Sequence, residues 1–523
     1  MGLREAGGAA RAPEANTPIL VGCGDVTDLD TPAERGRSPY DLIAQAARLA
    51  LADAGGQGLA GAIDTLAMLR SYKDTSHRFE TRLGGSSNPP KSIADRAGLT
   101  PSHCLYTWNG GNMPQFLVNQ FAEQIARGEI RAAMIVGGEA LRTQHGVERA
   151  GLPVAWAEDP GGEPEMVGDP RRGWSDHEDR HNLRAAITQY PLFENAIRAE
   201  RGHSLERHMQ SMGALMSRFA RVAAANPMAT RREGYSAARL ATVDADNRWI
   251  GFPYPRLMVS NAFIDQSAAF IMTSVGTARA LGIPQSKWVY LHGCADGHDH
   301  WYTTERADLH SSPAMRAVAG EALAMAGLAM AEIRHLDLYS CFPSAVEITC
   351  RELGIAEDDP RELTVTGGLV YFGGPGNSYV ALSICEMMRR LRAAPGDYGL
   401  VTANGNWVTK HSHGIYSTTP YAGPWQRAQP AALQARLDAL PKAPFTERAD
   451  GRAKIETYTV MHDKRGPAFS VVLGRLEATG ERFIANTLPD AAVLEDLQAR
   501  ESLGRAGVVR HADGHNVFHP AAA

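Results

Sequence analysis

The run Asn404-Gly-Asn-Trp-Val-Thr-Lys-His-Ser-His-Gly414 is polar, bounded by glycines and preceded by a buried-strand pattern. It places amide, ammonium and imidazole groups in a loop at the C-terminal edge of a sheet, where sites collect. If extended, His411 and His413 project to one side and Lys410 to the other. Tyr339 closes the strand pattern His335–Tyr339. Its phenol, with an ordinary pKa near ~10, can hold and relay a proton at a buried centre and needs a lowered pKa to act as a base. The plain alternative is a packed ring with its hydroxyl satisfied. The pairs Gly110-Gly111 and Gly373-Gly374 allow tight strand-to-helix turns, and backbone N–H groups at such turns can polarise a carbonyl. His298-Asp-His300 has the donor types for a divalent cation, but no further His or Cys spacing supports it, so no metal is expected. The six cysteines, Cys23, Cys104, Cys294, Cys341, Cys350 and Cys385, form no CxxC pair and read as a reduced, cytoplasmic protein. Cys104 and Cys341 are nucleophile alternatives only with a base beside them.

These groups must be positioned by more than one core, because 523 residues exceed what a single ordinary domain buries. A net charge of −5 without long blocks of one sign argues against nucleic acid as the main partner, and no apolar run is long enough to span a membrane. An internal duplication sets the architecture. In the first half a helix pattern over Pro39–Gly55 leads to a strand pattern over Ile63–Leu69; in the second, Pro313–Gly327 leads to His335–Tyr339. Gly110-Gly111 then opens a helix to Arg127 and the strand Ala132–Val136; its counterpart is Gly373-Gly374, a helix through Arg392 and the strand Tyr398–Thr402. The expected class is α/β, two αβα units with helices between and around two sheets. The expected boundaries are a disordered tail over 1–17, a first half over 18–157, an inserted loop domain over 158–249, a second half over 250–420, a proline-rich linker over 421–453 and a small β-barrel over 454–523.

With these elements in place the chain resembles the thiolase superfamily over roughly residues 18–417. The resemblance is carried by Gln124-Ile-Ala-Arg-Gly128 before Ala132–Gly138, by Asn261-Ala-Phe-Ile-Asp265-Gln-Ser-Ala-Ala, by Asp337-Leu-Tyr-Ser-Cys-Phe342, which is similar to the sterol-carrier-type version, and by the matched glycines. It implies a duplicated, five-layered thiolase fold, labelled in this group acetyl-CoA acetyltransferase-like. The tail resembles OB-fold proteins that partner some thiolase-fold enzymes, here fused into the same chain.

The departures from that family bear on mechanism. Gly111 stands at the place of the nucleophilic cysteine, Gly374 at that of the Gly-His-Pro histidine and Asn404 at that of the second cysteine. Tyr339 takes the place of the Asn or His that orients a water or carbonyl. Without the thiol, ordinary thiolysis is not expected. The resemblance implies acyl-CoA chemistry in lipid metabolism, making or breaking a carbon–carbon bond in aldol or retro-aldol fashion without an acyl-enzyme. Tyr339, Asn404 and His411 would move protons, with His411 favoured over His413 because its surroundings match the group better. Backbone donors near Gly111, Gly374 and Gly405 would stabilise an enolate or alkoxide. Thiolase-fold aldolases are similar in lacking the cysteine and using tyrosines. An acyltransferase with Cys341 as nucleophile and a non-catalytic acyl-CoA-binding protein are the rivals. The CoA thioester would be a substrate, with no metal, nucleic-acid or membrane partner, in a monomer or homodimer. Its phosphates are expected to meet Arg171, Arg172, Arg218, Arg221 and Arg231.

Overall fold

The computed structural model describes residues 13–75 and 79–521. The first twelve residues of the expected tail lie outside that range, while Ala15 and Thr17 are tied down, their carbonyls accepting from Gly276 and Val275 N–H. The strands, in chain order, are β1 (Pro18–Thr27), β2 (Thr65–Met68), β3 (His103–Thr107), β4 (Ala132–Ala140), β5 (Glu165–Val167), β6 (Trp249–Gly251), β7 (Tyr254–Pro255), β8 (Asp265–Ser274), β9 (Val289–His298), β10 (Ile333–Asp337), β11 (Tyr398–Gly405), β12 (Lys410–Ser417), β13 (Gly451–His462), β14 (Pro467–Leu476), β15 (Arg482–Ala485), β16 (Ala506–Ala512) and β17 (His515–Pro520).

The duplication is visible in the helix caps. Ser38 caps the helix Pro39–Ala54, accepting from Asp41 N–H, and Gly55 ends it at φ 71°. Ser312 caps Pro313–Ala326, accepting from Met315 N–H, and Gly327 ends it at φ 65°. Each has proline at its first position, where no intrahelical donor is needed, and glycine where the chain must turn left-handed.

The strands of the two halves run in one path, β10-β11-β12-β9-β1-β8-β4-β2-β3-β5. The two sheets meet through only two residue pairs of β1 and β9, Ile19 with Tyr290 and Leu20 with Val289. Between them lie the helices Met113–Ala126 and Tyr379–Ala393, each buried on most of its surface and each touching strands of both halves. Leu117, Phe121, Ile125, Leu382 and Met388 are fully buried in the core that spans both sheets, each contributing about 1.5–3 kcal/mol of transfer free energy. Helix Pro39–Ala54 covers the outer face of the first sheet, and Pro313–Ala326 that of the second, so five layers are stacked.

Strands β13–β17 build a second sheet, ordered β15-β14-β13-β16-β17. The hydrogen-bond ladder is open, yet Asn486, the residue after β15, bridges Val517 of β17, so the curled sheet brings its ends together. Its first strand starts at Gly451, slightly before the expected Lys454. The inserted segment reaches both sheets: β5 pairs with β3 at one end of the large sheet, and Asn195 Nδ2 donates to Tyr458 O of β13, while β6, which starts at the segment's last residue, pairs with β13 through Gly251. The segment read as a linker carries the helix Pro430–Asp438, whose Leu433 and Leu437 are buried against Ala295 and Val318. No helix among the described residues is long and apolar enough to cross a membrane.

Candidate active site

The N-terminus of helix Met113–Ala126 and the ends of β10 and β11 converge on one cavity of about 400 Å³, lined by Gly111, Tyr190, Tyr339, Cys341, Gly374 and Asn404 among others. Matched turns from the two halves face each other here. Asn377 staples them, its Oδ1 accepting from Gly110 N–H at 3.0 Å and its Nδ2 donating to Arg70 O at 2.8 Å. The N-terminus of this buried helix carries a positive partial charge and favours a developing anion.

Tyr339 sits over Gly111. A Cβ at Gly111 would lie 2.3 Å from the Tyr339 hydroxyl oxygen and 2.6 Å from Asn404 O. The phenol thus takes up the space where the resemblance places a cysteine side chain. Strand β10 ends at Asp337, so Tyr339 lies in the loop beyond the strand it was expected to close. Its N–H donates to Thr402 Oγ1 at 2.9 Å, and its ring meets that of Tyr379 edge-on at 5.9 Å. Burial pushes its hydroxyl well above the usual phenol range, so it remains protonated at neutral pH. Because Cys341 is also in a loop, alternation along a strand does not send it away from Tyr339: both line the cavity. Burial pushes the Cys341 thiol up to about 12, the opposite of an activated nucleophile.

Asn404 Nδ2 donates to the Tyr190 hydroxyl at 3.2 Å, and its Oδ1 accepts from Val408 N–H at 2.9 Å. The second bond closes an unusual turn. Asn406, Trp407 and Val408 have φ of 48°, 53° and 63°, three consecutive side-chain-bearing residues in the left-handed region. Each costs about 1–2 kcal/mol, and the surroundings hold them there: Thr409 N–H donates to Gly405 O, and Arg306 Nη1 donates to Val408 O. The turn puts Asn406 and Trp407 into the cavity wall.

Several sequence expectations need correction. The polar run is not a loop throughout; it turns only over residues 406–409, and β12 begins at Lys410 because that segment pairs with both β11 and β9. His411 is therefore buried in a strand, with Nε2 at 3.1 Å from Ser312 Oγ and 3.5 Å from Asp299 Oδ2, and does not line the Tyr339 cavity. Gly405 and Gly374 line it, but Gly374 N–H donates to Asn261 O at 2.9 Å and is not free for an oxyanion. Gly111 N–H meets no protein acceptor among the described residues.

Of the five arginines only Arg231 reaches this cavity. Arg171 pairs with Asp169, Arg172 with Asp176 and Arg221 with Glu362, and the Arg218 guanidinium donates to the carbonyls of Glu357, Asp359 and Arg361. Arg171 and Arg172 fix their own loop, while Arg218 and Arg221 tie their helix to the segment 357–362. Arg184 and Arg256, which sequence reasoning missed, line the cavity with Arg231. The Arg231 and Arg256 side chains each donate to one backbone carbonyl, of Val370 and Asp246, and neither meets a carboxylate within 4.0 Å among the described residues, whereas Arg184 pairs with Asp179. Tyr190 was missed as well. It lies in a helix of the insertion, Ala186–Glu200, with nothing in its spacing to mark it, and its ring stacks on Phe342 at 4.5 Å.

Residues 432–515 match the family described as the thiolase-like protein type 1 additional C-terminal domain. The chain is 38% identical to a monomeric SCP2-thiolase like protein type 1 (STLP1) from Mycobacterium smegmatis, with 97% of this chain and 100% of that one covered and a TM-score of 0.83. It shares its fold with the Ltp2-ChsH2(DUF35) aldolase at 20% identity, 77% and 98% coverage and a TM-score of 0.57. The same holds for an acetyl-CoA acetyltransferase from Syntrophomonas wolfei at 16% identity, 78% and 100% coverage and a TM-score of 0.55. Among curated proteins none matches.

Proposed function

Because the chain belongs to the SCP2-thiolase-like proteins of type 1, we propose that it binds an acyl-CoA in the Tyr339 cavity and makes or breaks a carbon–carbon bond without an acyl-enzyme. The observation behind this reading is the Tyr339 hydroxyl lying over Gly111, where a thiolase would present its thiol. In the cleavage direction a 3-hydroxyacyl-CoA loses the C2–C3 bond, and the proton leaving the 3-hydroxyl must end on C2. A protonated phenol performs that relay without net acid or base, giving its proton to the enolate as it receives the hydroxyl proton. Asn404 orients Tyr190 beside it. The free Gly111 N–H at the helix N-terminus stabilises the enolate oxygen. Arg231 and Arg256, without carboxylate partners among the described residues, would meet the CoA phosphates. The fold likeness to an aldolase is compatible with this chemistry, and the monomeric relative favours a monomer here.

The test is turnover of a panel of 3-hydroxy- and 3-oxoacyl-CoA thioesters, followed by Tyr339→Phe and Cys341→Ala on the substrate found. Tyr339→Phe should abolish cleavage and keep CoA binding, while Cys341→Ala retains most activity. The reverse order, with an acyl group trapped on Cys341 in a mass spectrum, would establish acyl transfer instead. Tight CoA binding without turnover across the panel would leave a non-catalytic binding protein.

A further inference from the structure

A second cavity of about 860 Å³ lies behind the Gly110-Gly111 turn, and its lining shares no residue with that of the Tyr339 cavity. Its lining is mixed, with Met113, Phe116, Val167 and Trp301 forming an apolar part of the wall, and its size falls within the range of small-molecule sites. Arg171 is paired with Asp169, and Arg427 with both Asp296 and Glu123. Lys410 meets no carboxylate within 4.0 Å among the described residues. It is 7% exposed, its Nζ donates to the Asn109 carbonyl, and the nearest charged groups of neighbouring segments, Asp169 and Arg171, are already paired to each other. Burial pushes the Lys410 ammonium down to about 8, and its Nζ lies 5.8 Å from the Trp301 ring centroid; an anion at this end of the cavity would offset the cost of keeping it charged. Two further buried polar atoms on the same wall, Asn112 Oδ1 and Gln120 Oε1, have no hydrogen-bond partner.

We propose that this cavity is a second ligand site, for an organic carboxylate whose apolar body lies against Phe116 and Trp301 and whose charged end pairs with Lys410. The amides of Asn112 and Gln120 complete the polar end as donors when each side chain is turned so that its nitrogen takes the place of the unpartnered oxygen. The site is coupled to the reaction centre through the Asn109 carbonyl, one residue before the Gly110-Gly111 turn. An anion drawing Lys410 away from that carbonyl changes what holds the turn under Tyr339.

Isothermal titration of the full chain with 4-phenylbutyrate and with 4-phenylbutan-1-ol tests this. The acid should bind at least tenfold more tightly than the alcohol, and saturating CoA should not displace it. Lys410→Met should remove the preference for the acid and leave the alcohol unaffected within twofold. Equal affinity for acid and alcohol, no binding of either, displacement by CoA, or an acid preference that survives in a folded Lys410→Met protein would each overturn the proposal. The acid–alcohol comparison uses the unaltered protein and decides the matter even if the variant does not fold.

Discussion

Replacing Gly111 by alanine adds one methyl group at the point where the two halves of the fold meet. Its Cβ would stand 2.3 Å from the Tyr339 hydroxyl oxygen, 2.9 Å from Tyr339 Cζ and 2.6 Å from Asn404 O. Relief therefore needs movements of about 1 Å, and neither neighbour is loose: Tyr339 is pinned through its N–H to Thr402 and edge-on to Tyr379, and Asn404 belongs to β11. Overpacking of this kind costs about 1–3 kcal/mol. A displacement of about 1 Å at the proton-bearing oxygen should lower kcat for carbon–carbon cleavage by about 10²-fold. Combining Gly111→Ala with Tyr339→Phe removes the closest atom and leaves the Asn404 carbonyl, so stability should recover in part, with a coupling of about 1 kcal/mol in the double-mutant cycle. Urea unfolding of the four proteins and turnover of the Gly111→Ala protein measure these effects. If Gly111→Ala is as stable and active as the parent and the cycle is additive, the phenol does not lie over Gly111 and the reasoning fails.

Arg231→Met and Arg256→Met should each raise KM for the CoA thioester about tenfold with kcat little changed, whereas Arg221→Met, at an exposed ion pair, should leave both unchanged. Glu139, buried and accepting from Tyr72 N–H, has its carboxyl pushed up to about 8 by burial. The folded state then holds this proton more tightly than the unfolded state, so stability is greatest below the ordinary carboxylate value and falls as pH rises from about 4.5 toward 8. Glu139→Gln should flatten that slope in urea unfolding compared at pH 5 and pH 8. Asn406→Gly relieves one left-handed residue of the 406–408 turn and should raise the unfolding free energy by about 1 kcal/mol or less, with slower turnover as the cavity wall loosens. Arg482→Met should cost about 3–5 kcal/mol and loosen the C-terminal sheet in hydrogen exchange, because the fully buried Arg482 guanidinium joins Glu456 to the carbonyls of Thr304 and Arg306.

The duplicated fold was legible because its signals are local and periodic. Proline at a helix start, glycine at its end and an apolar strand run follow one another in both halves, and the helix Pro313–Ala326 starts at the residue read for it. The meeting of Gly111, Tyr339 and Asn404 in one cavity was also legible, because each was placed by position relative to those elements. What stayed hidden depends on register and on partners far along the chain. His411 looks like a loop histidine until β12 is seen to pair with two strands. Arg218 looks like a phosphate ligand until three carbonyls some 140 residues away are seen to occupy it. Tyr190 reaches the cavity through the packing of an inserted helix, which no spacing encodes.

Strand β6 carries Ile250 into the wall of the Tyr339 cavity, while its neighbour Gly251 pairs with Met461 of β13. Phe252 N–H also donates to Val460 O, and Asn195 Nδ2 to Tyr458 O. The inserted segment is consequently fastened to β13 from within, through Asn195, and just past its end, through Gly251 and Phe252: swinging it outward would mean breaking these bonds to the second sheet. Less conformational freedom is left at this part of the wall for a ligand to remove, so affinity is less eroded by its ordering.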